Sequence, residues 1–176
     1  MPVGVIQSYS LAARQSLRSL RTEHGKGLID LLGYCLMDNH LHCLLRENVE
    51  GGISLYMHRL LTSYSKYFNT RYDRSGSLFI HPFKAVLVEQ DEQLLQVIRY
   101  IHLNPYVAHM INDPFAYRWS SLEEYMTEPR CQRSICHRQL ISGMMGVAQH
   151  KEFIQDKVDY ERSLAFMGYQ LVDYDD

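Results

Sequence analysis

Tyr34-Cys35-Leu36-Met37-Asp38-Asn39-His40-Leu41-His42 is the stretch that decides the fold. It joins two apolar runs, 31–37 and 40–45, across the turn-forming pair Asp38-Asn39. Two short apolar runs parted by two such residues read as a β-hairpin, because Asp and Asn tolerate the left-handed backbone that a tight turn requires. On the second strand His40 and His42 stand two apart and so share one face. Two imidazoles held a few ångströms apart on a rigid strand make half a site for a divalent metal. Taken alone, a His-x-His pair is more often two polar residues on a wetted strand face. A hairpin with this turn also sets Cys35 opposite His42, so Cys35, His40 and His42 form an alternative, three-ligand zinc site.

Outward from the hairpin, apolar residues recur at Ile53, Tyr56, Met57, Leu60, Leu61, Tyr64, Tyr67 and Phe68, the spacing of a long helix after Gly51-Gly52. Arg59, Lys66 and Arg71 fall on or near its polar side. Residues 78–89 read as a strand, with Pro82 marking a bulge or an edge. Asp91 caps a helix predicted to run to about Leu103 and to stop at Pro105. On that helix Leu94, Leu95, Val97, Ile98 and Ile101 form the apolar arc, and Tyr100 lies away from its centre with Asn104 four residues on. A phenol, with its pKa of ~10, attacks only an electrophile that something else polarises, and the histidine pair can hold a metal for that purpose. A weak helix over 11–20, a short helix through Tyr125 and two helices after Ile135 complete the reading. Hairpin, helix, strand, helix is the order of an α+β protein with an antiparallel sheet covered by helices.

The 176 residues suit one domain, and 46% apolar with 22% charged residues is ordinary globular composition. No apolar run is long enough to span a membrane, and the N-terminus lacks the basic flank of a signal peptide. Cys35, Cys43, Cys131 and Cys136 form no CxxC pair, which points to free thiols and a reducing, cytoplasmic setting. A net charge of -2 argues against a generic nucleic-acid binder. The charge is uneven, however: Asp156, Asp159, Glu161, Asp173, Asp175 and Asp176 gather at the C-terminus. Cations cluster elsewhere, as Arg14, Arg18 and Arg21, as Arg59, Lys66, Arg71 and Arg74, and as Arg130, Arg133 and Arg138.

The 34–42 stretch resembles the His-hydrophobic-His (HUH) motif of single-tyrosine transposases. Gly76-Ser77-Leu78-Phe79 with Phe83-Lys84 resembles that family's central strand. Arg99-Tyr100-Ile101-His102-Leu103-Asn104-Pro105 resembles its tyrosine helix, and Trp119-Ser120-Ser121 with Tyr125 the loop after it. Together, from Leu31 to Tyr125, these resemble the REP-associated tyrosine transposase branch. The resemblance implies a ferredoxin-like HUH nuclease fold over residues 1–128 and a helical C-terminal extension with an acidic tail over 129–176. It implies Mg²⁺ or Mn²⁺ on His40 and His42 with Asn104 as third ligand, and Tyr100 as the nucleophile that forms a 5′-phosphotyrosine link. The implied partner is single-stranded or hairpin DNA, met by phosphate contacts from Lys84, Arg99, Arg59 and Lys66.

Departures from the pattern set further expectations. Val3-Gly4-Val5-Ile6 is a thin candidate for the family's first strand, which looks short or missing, and a homodimer would cover the edge so exposed. Asp38 stands in place of the family's proline, and Tyr106-Val107 in place of an aliphatic-arginine pair. His58, His81, His102 and His109 compete as ligands or bases, His102 reading as structural. Trp119 reads as a core anchor rather than a stacking platform. The rivals are a zinc protein using Cys35, a non-catalytic DNA-hairpin binder of the same fold, and an interaction module.

Overall fold

A computed structural model describes residues 3–8, 27–127 and 134–156, and the elements follow in the order strand β1 (Val3–Ser8), β2 (Ile29–Leu36), β3 (Leu41–Glu47), helix α1 (Gly52–Arg71), β4 (Lys84–Val88) and α2 (Asp91–Val107). A 3-10 turn (Pro114–Ala116) and helices α3 (Leu122–Tyr125), α4 (Gln139–Met144) and α5 (Val147–Gln155) come after. The four strands form one antiparallel sheet in the order β2-β3-β1-β4. This is the α+β architecture that the hairpin-helix-strand-helix order predicts. The helix expected over 11–20 and the acidic tail beyond Asp156 lie outside the described residues.

Three expectations are corrected. The first strand is not missing: β1 sits in the middle of the sheet, paired along its length with β3 and β4. A central strand needs both rows of backbone hydrogen bonds and little else, so the Gly in Val3-Gly4-Val5-Ile6 is tolerated. The strand expected over 78–89 is only Lys84–Val88, because Pro82 has no N–H to give a ladder. Helix α2 does not stop at Pro105 but carries it inside and ends two residues later, at Val107. The turn that follows is closed by backbone bonds from Ala108 to Asn104 and from Met110 to Pro105, with His109 left-handed at φ 57°.

Alternation along the strands divides the core into two layers. Leu41, Cys43 and Leu45 of β3 face α1 and pack with Tyr56 and Met57. Leu44 of β3, with Leu32 and Cys35 of β2 and Val88 of β4, faces α2 and packs with Leu94, Ile98 and Ile101. Ile141 of α4 joins this second cluster, and Ile154 of α5 packs with Leu103 and Leu122, so α4 and α5 share the core. The outer edge of β2 is also covered. Leu36 donates to the Trp119 carbonyl, Ser121 to that of Tyr34 and His137 to that of Leu31, which satisfies edge groups that would otherwise recruit another chain.

Helix α2 packs directly onto β2 at Gly33. A β-bulge between Leu31 and Gly33 turns this residue toward the helix, and a Cβ there would stand 2.1 Å from Ile98 Cδ1. Any side chain at 33 therefore has to displace the tip of Ile98, whose side chain is itself fully buried. Gly33→Ala is expected to cost about 1–3 kcal/mol of stability, the range for an overpacked core. Ile98→Val removes the opposing methyl, so the double variant should recover much of that loss. Chemical denaturation of the two single variants and the pair checks this; simple additivity would place the strain elsewhere.

Candidate active site

Register puts the candidate residues in one row. Cys35 of β2 pairs with His42 of β3, His42 with Gln7 of β1, and Gln7 with Lys84 of β4. Residues directly opposite in neighbouring strands share a face, so His42 and the exposed Lys84 stand on the face that α2 covers. Lys84 is thus two strand spacings, about 10 Å, from the histidine.

His40 and His42 converge. Their Nε2 atoms are 3.0 Å apart and their rings meet edge to face at 88°. His40 Nδ1 lies 2.6 Å from Asn39 Oδ1, an acceptor-only atom, so Nδ1 carries the proton and the Nε2 lone pair points at its neighbour. Two nitrogens each about 2.1 Å from one octahedral ion and at right angles to one another lie about 3.0 Å apart. The pair therefore fits a shared divalent ion. Asn39, which the sequence reading used only as a turn residue, is the orienting partner of His40. Its position beside the first histidine was the available signal.

Tyr100 meets this pair from α2, its ring centroid 5.7 Å from that of His42 and the planes at 78°. Burial of Leu94, Ile98 and Ile101 on the sheet-facing stripe leaves Tyr100 half-buried at the stripe's margin. Asn104 is buried one turn further along the same helix. The structure thus brings His40, His42 and Tyr100 together, with Asn104 on the tyrosine helix and Lys84 in the row.

Other expected residues lie elsewhere. Arg99 is 1% exposed, with its guanidinium 4.3 Å from the centroid of the Phe153 ring on α5 and a bond to Gln96. Its guanidinium is thus packed between α2 and α5 rather than set on the open surface. Arg59 and Lys66 are exposed on α1, on the opposite side of the sheet from α2. Cys35 does lie across from His42, but it is fully buried and its Sγ sits 3.8 Å from Met37 Sδ. Burial pushes its thiol pKa far up, and the nearby Cys43 adds to the shift. Among the described residues no three His, Cys, Asp or Glu side chains group to hold a metal, so the three-ligand zinc reading fails. Trp119 is 49% exposed with the Arg118 guanidinium 4.5 Å from its ring centroid, so it is no core anchor; its backbone, not its ring, holds β2.

Beneath the tyrosine helix lies a polar network that the sequence reading did not assemble. Ser121 Oγ lies 2.9 Å from His102 Nε2 and accepts from the Tyr34 amide at 2.9 Å. His150 of α5 stacks on Tyr125 at 5.1 Å and reaches His102 Nδ1 at 3.5 Å. Tyr125 in turn donates to the Leu32 carbonyl. The network ties α2 to β2, α3 and α5 just past Tyr100.

A family model described as "Transposase IS200 like" matches residues 10–104. Among solved structures, the chain is similar to a REP-associated tyrosine transposase bound to a REP hairpin. That match has a TM-score of 0.53 and 13% identity over 77% of this chain and 84% of the other. At that identity the likeness is one of fold. No curated protein matches.

The buried network also gives the stability a pH dependence. Burial lowers the His150 pKa to about 4, and burial with the neighbouring His150 lowers that of His102 well below its ordinary value. Both histidines are neutral in the folded protein and take up a proton more readily when unfolded. Their contribution is whole above the unfolded pKa of about 6.5 and is lost as pH falls toward the folded value. Moving from pH 7.5 to pH 5 is expected to cost about 1–2 kcal/mol at His150 alone. Thermal melts at the two values check this, and His150→Gln should flatten the difference. An unchanged difference would refute the assignment.

Proposed function

Because the chain belongs to the family of IS200-like transposases, we propose that it cleaves and rejoins single-stranded DNA, with Tyr100 as nucleophile. The observation that carries this reading is the convergence of His40, His42 and Tyr100 from two different elements. His40, His42 and Asn104 would hold Mg²⁺ or Mn²⁺. When bound, the ion supplies Lewis-acid polarisation of a phosphate oxygen. The chain's own part is to place the phenol oxygen of Tyr100 for attack at phosphorus and to keep both imidazoles oriented, His40 through Asn39. Lys84 stands in the same cross-sheet row, where its ammonium can hold a neighbouring phosphate.

In the reaction the Tyr100 oxygen bonds to phosphorus as the bond to the 3′ oxygen breaks. The proton lost by the phenol is balanced by the one gained at the departing 3′-hydroxyl. One strand is left with a 5′-phosphotyrosine link, the other with a free 3′-OH. Attack by a 3′-OH reverses the step, so joining needs no external energy source.

The DNA partner we propose is a hairpin-forming element beside an unpaired cleavage site, the neighbour of like fold being one bound to a REP hairpin. Among the described residues the outer edge of β4 carries no further strand, and the homodimer would pair there. No described helix is long and apolar enough to cross a membrane. The free thiols of Cys35, Cys43 and Cys136 suit a reducing cytoplasm. The rival reading is a non-catalytic hairpin binder of the same fold.

Cleavage of an end-labelled hairpin oligonucleotide with an unpaired flank separates the two. In Mn²⁺ the wild type should cut, and Tyr100→Phe and His42→Ala should each slow cutting on the order of a thousandfold or more. Chelation should abolish it. Salt-sensitive binding without any cutting would establish the non-catalytic binder.

A further inference from the structure

The C-terminal half of α1 and the loop after it carry a surface that the reaction above leaves unused. Between Arg59 and Lys84 stand five cationic residues (Arg59, Lys66, Arg71, Arg74 and Lys84) against one carboxylate, Asp73, in a chain whose net charge is -2. Aromatic rings lie among them. Tyr67 is 56% and Tyr72 63% exposed, unusual values for side chains this large. They flank a run of ring contacts: Tyr67 to Tyr64 at 6.3 Å, Tyr64 to Phe68 at 5.8 Å and Phe68 to Tyr72 at 4.5 Å. Lys66, Tyr67, Thr70 and Arg71 line a shallow open hollow of about 370 Å³. The loop is pinned to the helix, since Arg74 donates to the Asn69 carbonyl at 2.8 Å and Asn69 Nδ2 to the Gly76 carbonyl at 2.9 Å.

Topology places this surface at the active-site end of the molecule. β3 begins beside His40 and ends at Glu47, and α1 turns back along it from Gly52. Twenty residues of helix reach about 30 Å and seven of strand about 23 Å. The Arg71 end of α1 therefore projects past the His40 end of the sheet, and the loop leads on into Lys84.

We propose that this surface is a second nucleic-acid site, which stacks unpaired bases on Tyr67 and Tyr72 and holds their phosphates with Lys66, Arg71 and Arg74. Exposed rings interleaved with cations are the chemistry of single-strand binding, where rings take any base and cations track the backbone. The same charge opposes a second copy of this chain as occupant. A two-fold contact would set this cationic patch against itself. The inference rests on the DNA reading above and extends it: a strand cut at Tyr100 would be held at both places.

Fluorescence anisotropy on the full chain tests it, with a labelled hairpin carrying an unpaired flank of about ten nucleotides, a length within single-strand site sizes, and the blunt hairpin as control. The Tyr67→Ala, Tyr72→Ala pair should weaken binding of the flanked hairpin about tenfold or more and leave the blunt one unchanged. Tyr67→Phe, Tyr72→Phe should bind like wild type, since the rings remain. Replacing Lys66, Arg71 and Arg74 by Ala should reduce the slope of log affinity against log salt by about 2. Unaltered binding by the alanine pair overturns the proposal, as does a dimer in sedimentation that the same pair dissolves. Cutting by Tyr100 is a separate readout, so the reading beneath can fail or hold independently. Absence of any salt-sensitive DNA binding overturns both.

Discussion

The site depends on how closely α2 can approach the sheet. At Gly33 a missing side chain lets Ile98 come down onto β2, and Tyr100 follows two residues later on the same rigid helix. A methyl at 33 would have to push the Ile98 tip into a core this dense, next to the turn of helix that carries the phenol. The bulge at Leu31/Gly33 presents the glycine to α2. The network of Ser121, His102 and His150 then fixes the helix beyond the tyrosine. A phenol held in this way needs little ordering when a partner arrives, and such pre-organisation is a large part of what positioning contributes.

The sheet supplies the other half. Antiparallel pairing lines up Cys35, His42, Gln7 and Lys84 across four strands, so one β-register sets the positions of both His42 and Lys84. The central place of β1 matters here. It places one strand between His42 and Lys84. Buried Cys35 at the end of this row packs under α2.

Much of this was legible in the sequence where the signal is local. The hairpin follows from Asp38-Asn39 between two apolar runs, α1 from helical spacing, and Tyr100 from standing off the apolar stripe with Asn104 at i+4. What escaped depends on partners distant in the chain. Val3-Gly4-Val5-Ile6 looks too slight for a strand until β3 and β4 flank it. Arg99 reads as a surface charge because Phe153, its stacking partner, is on α5. Trp119 reads as core because indoles usually are, yet here it is the backbone of 119–121 that the fold uses. Pro105 reads as a stop, but α2 carries it inside and ends only at Val107.

The central claim is that Tyr100, among the thirteen tyrosines of the chain, is the group that takes the DNA. Proteolysis and mass spectrometry of the protein trapped on a flanked hairpin oligonucleotide test it most directly. A nucleotide mass is expected on the peptide that contains Tyr100 and on no other. A nucleotide mass on a different tyrosine, with Tyr100 unmodified, would contradict it.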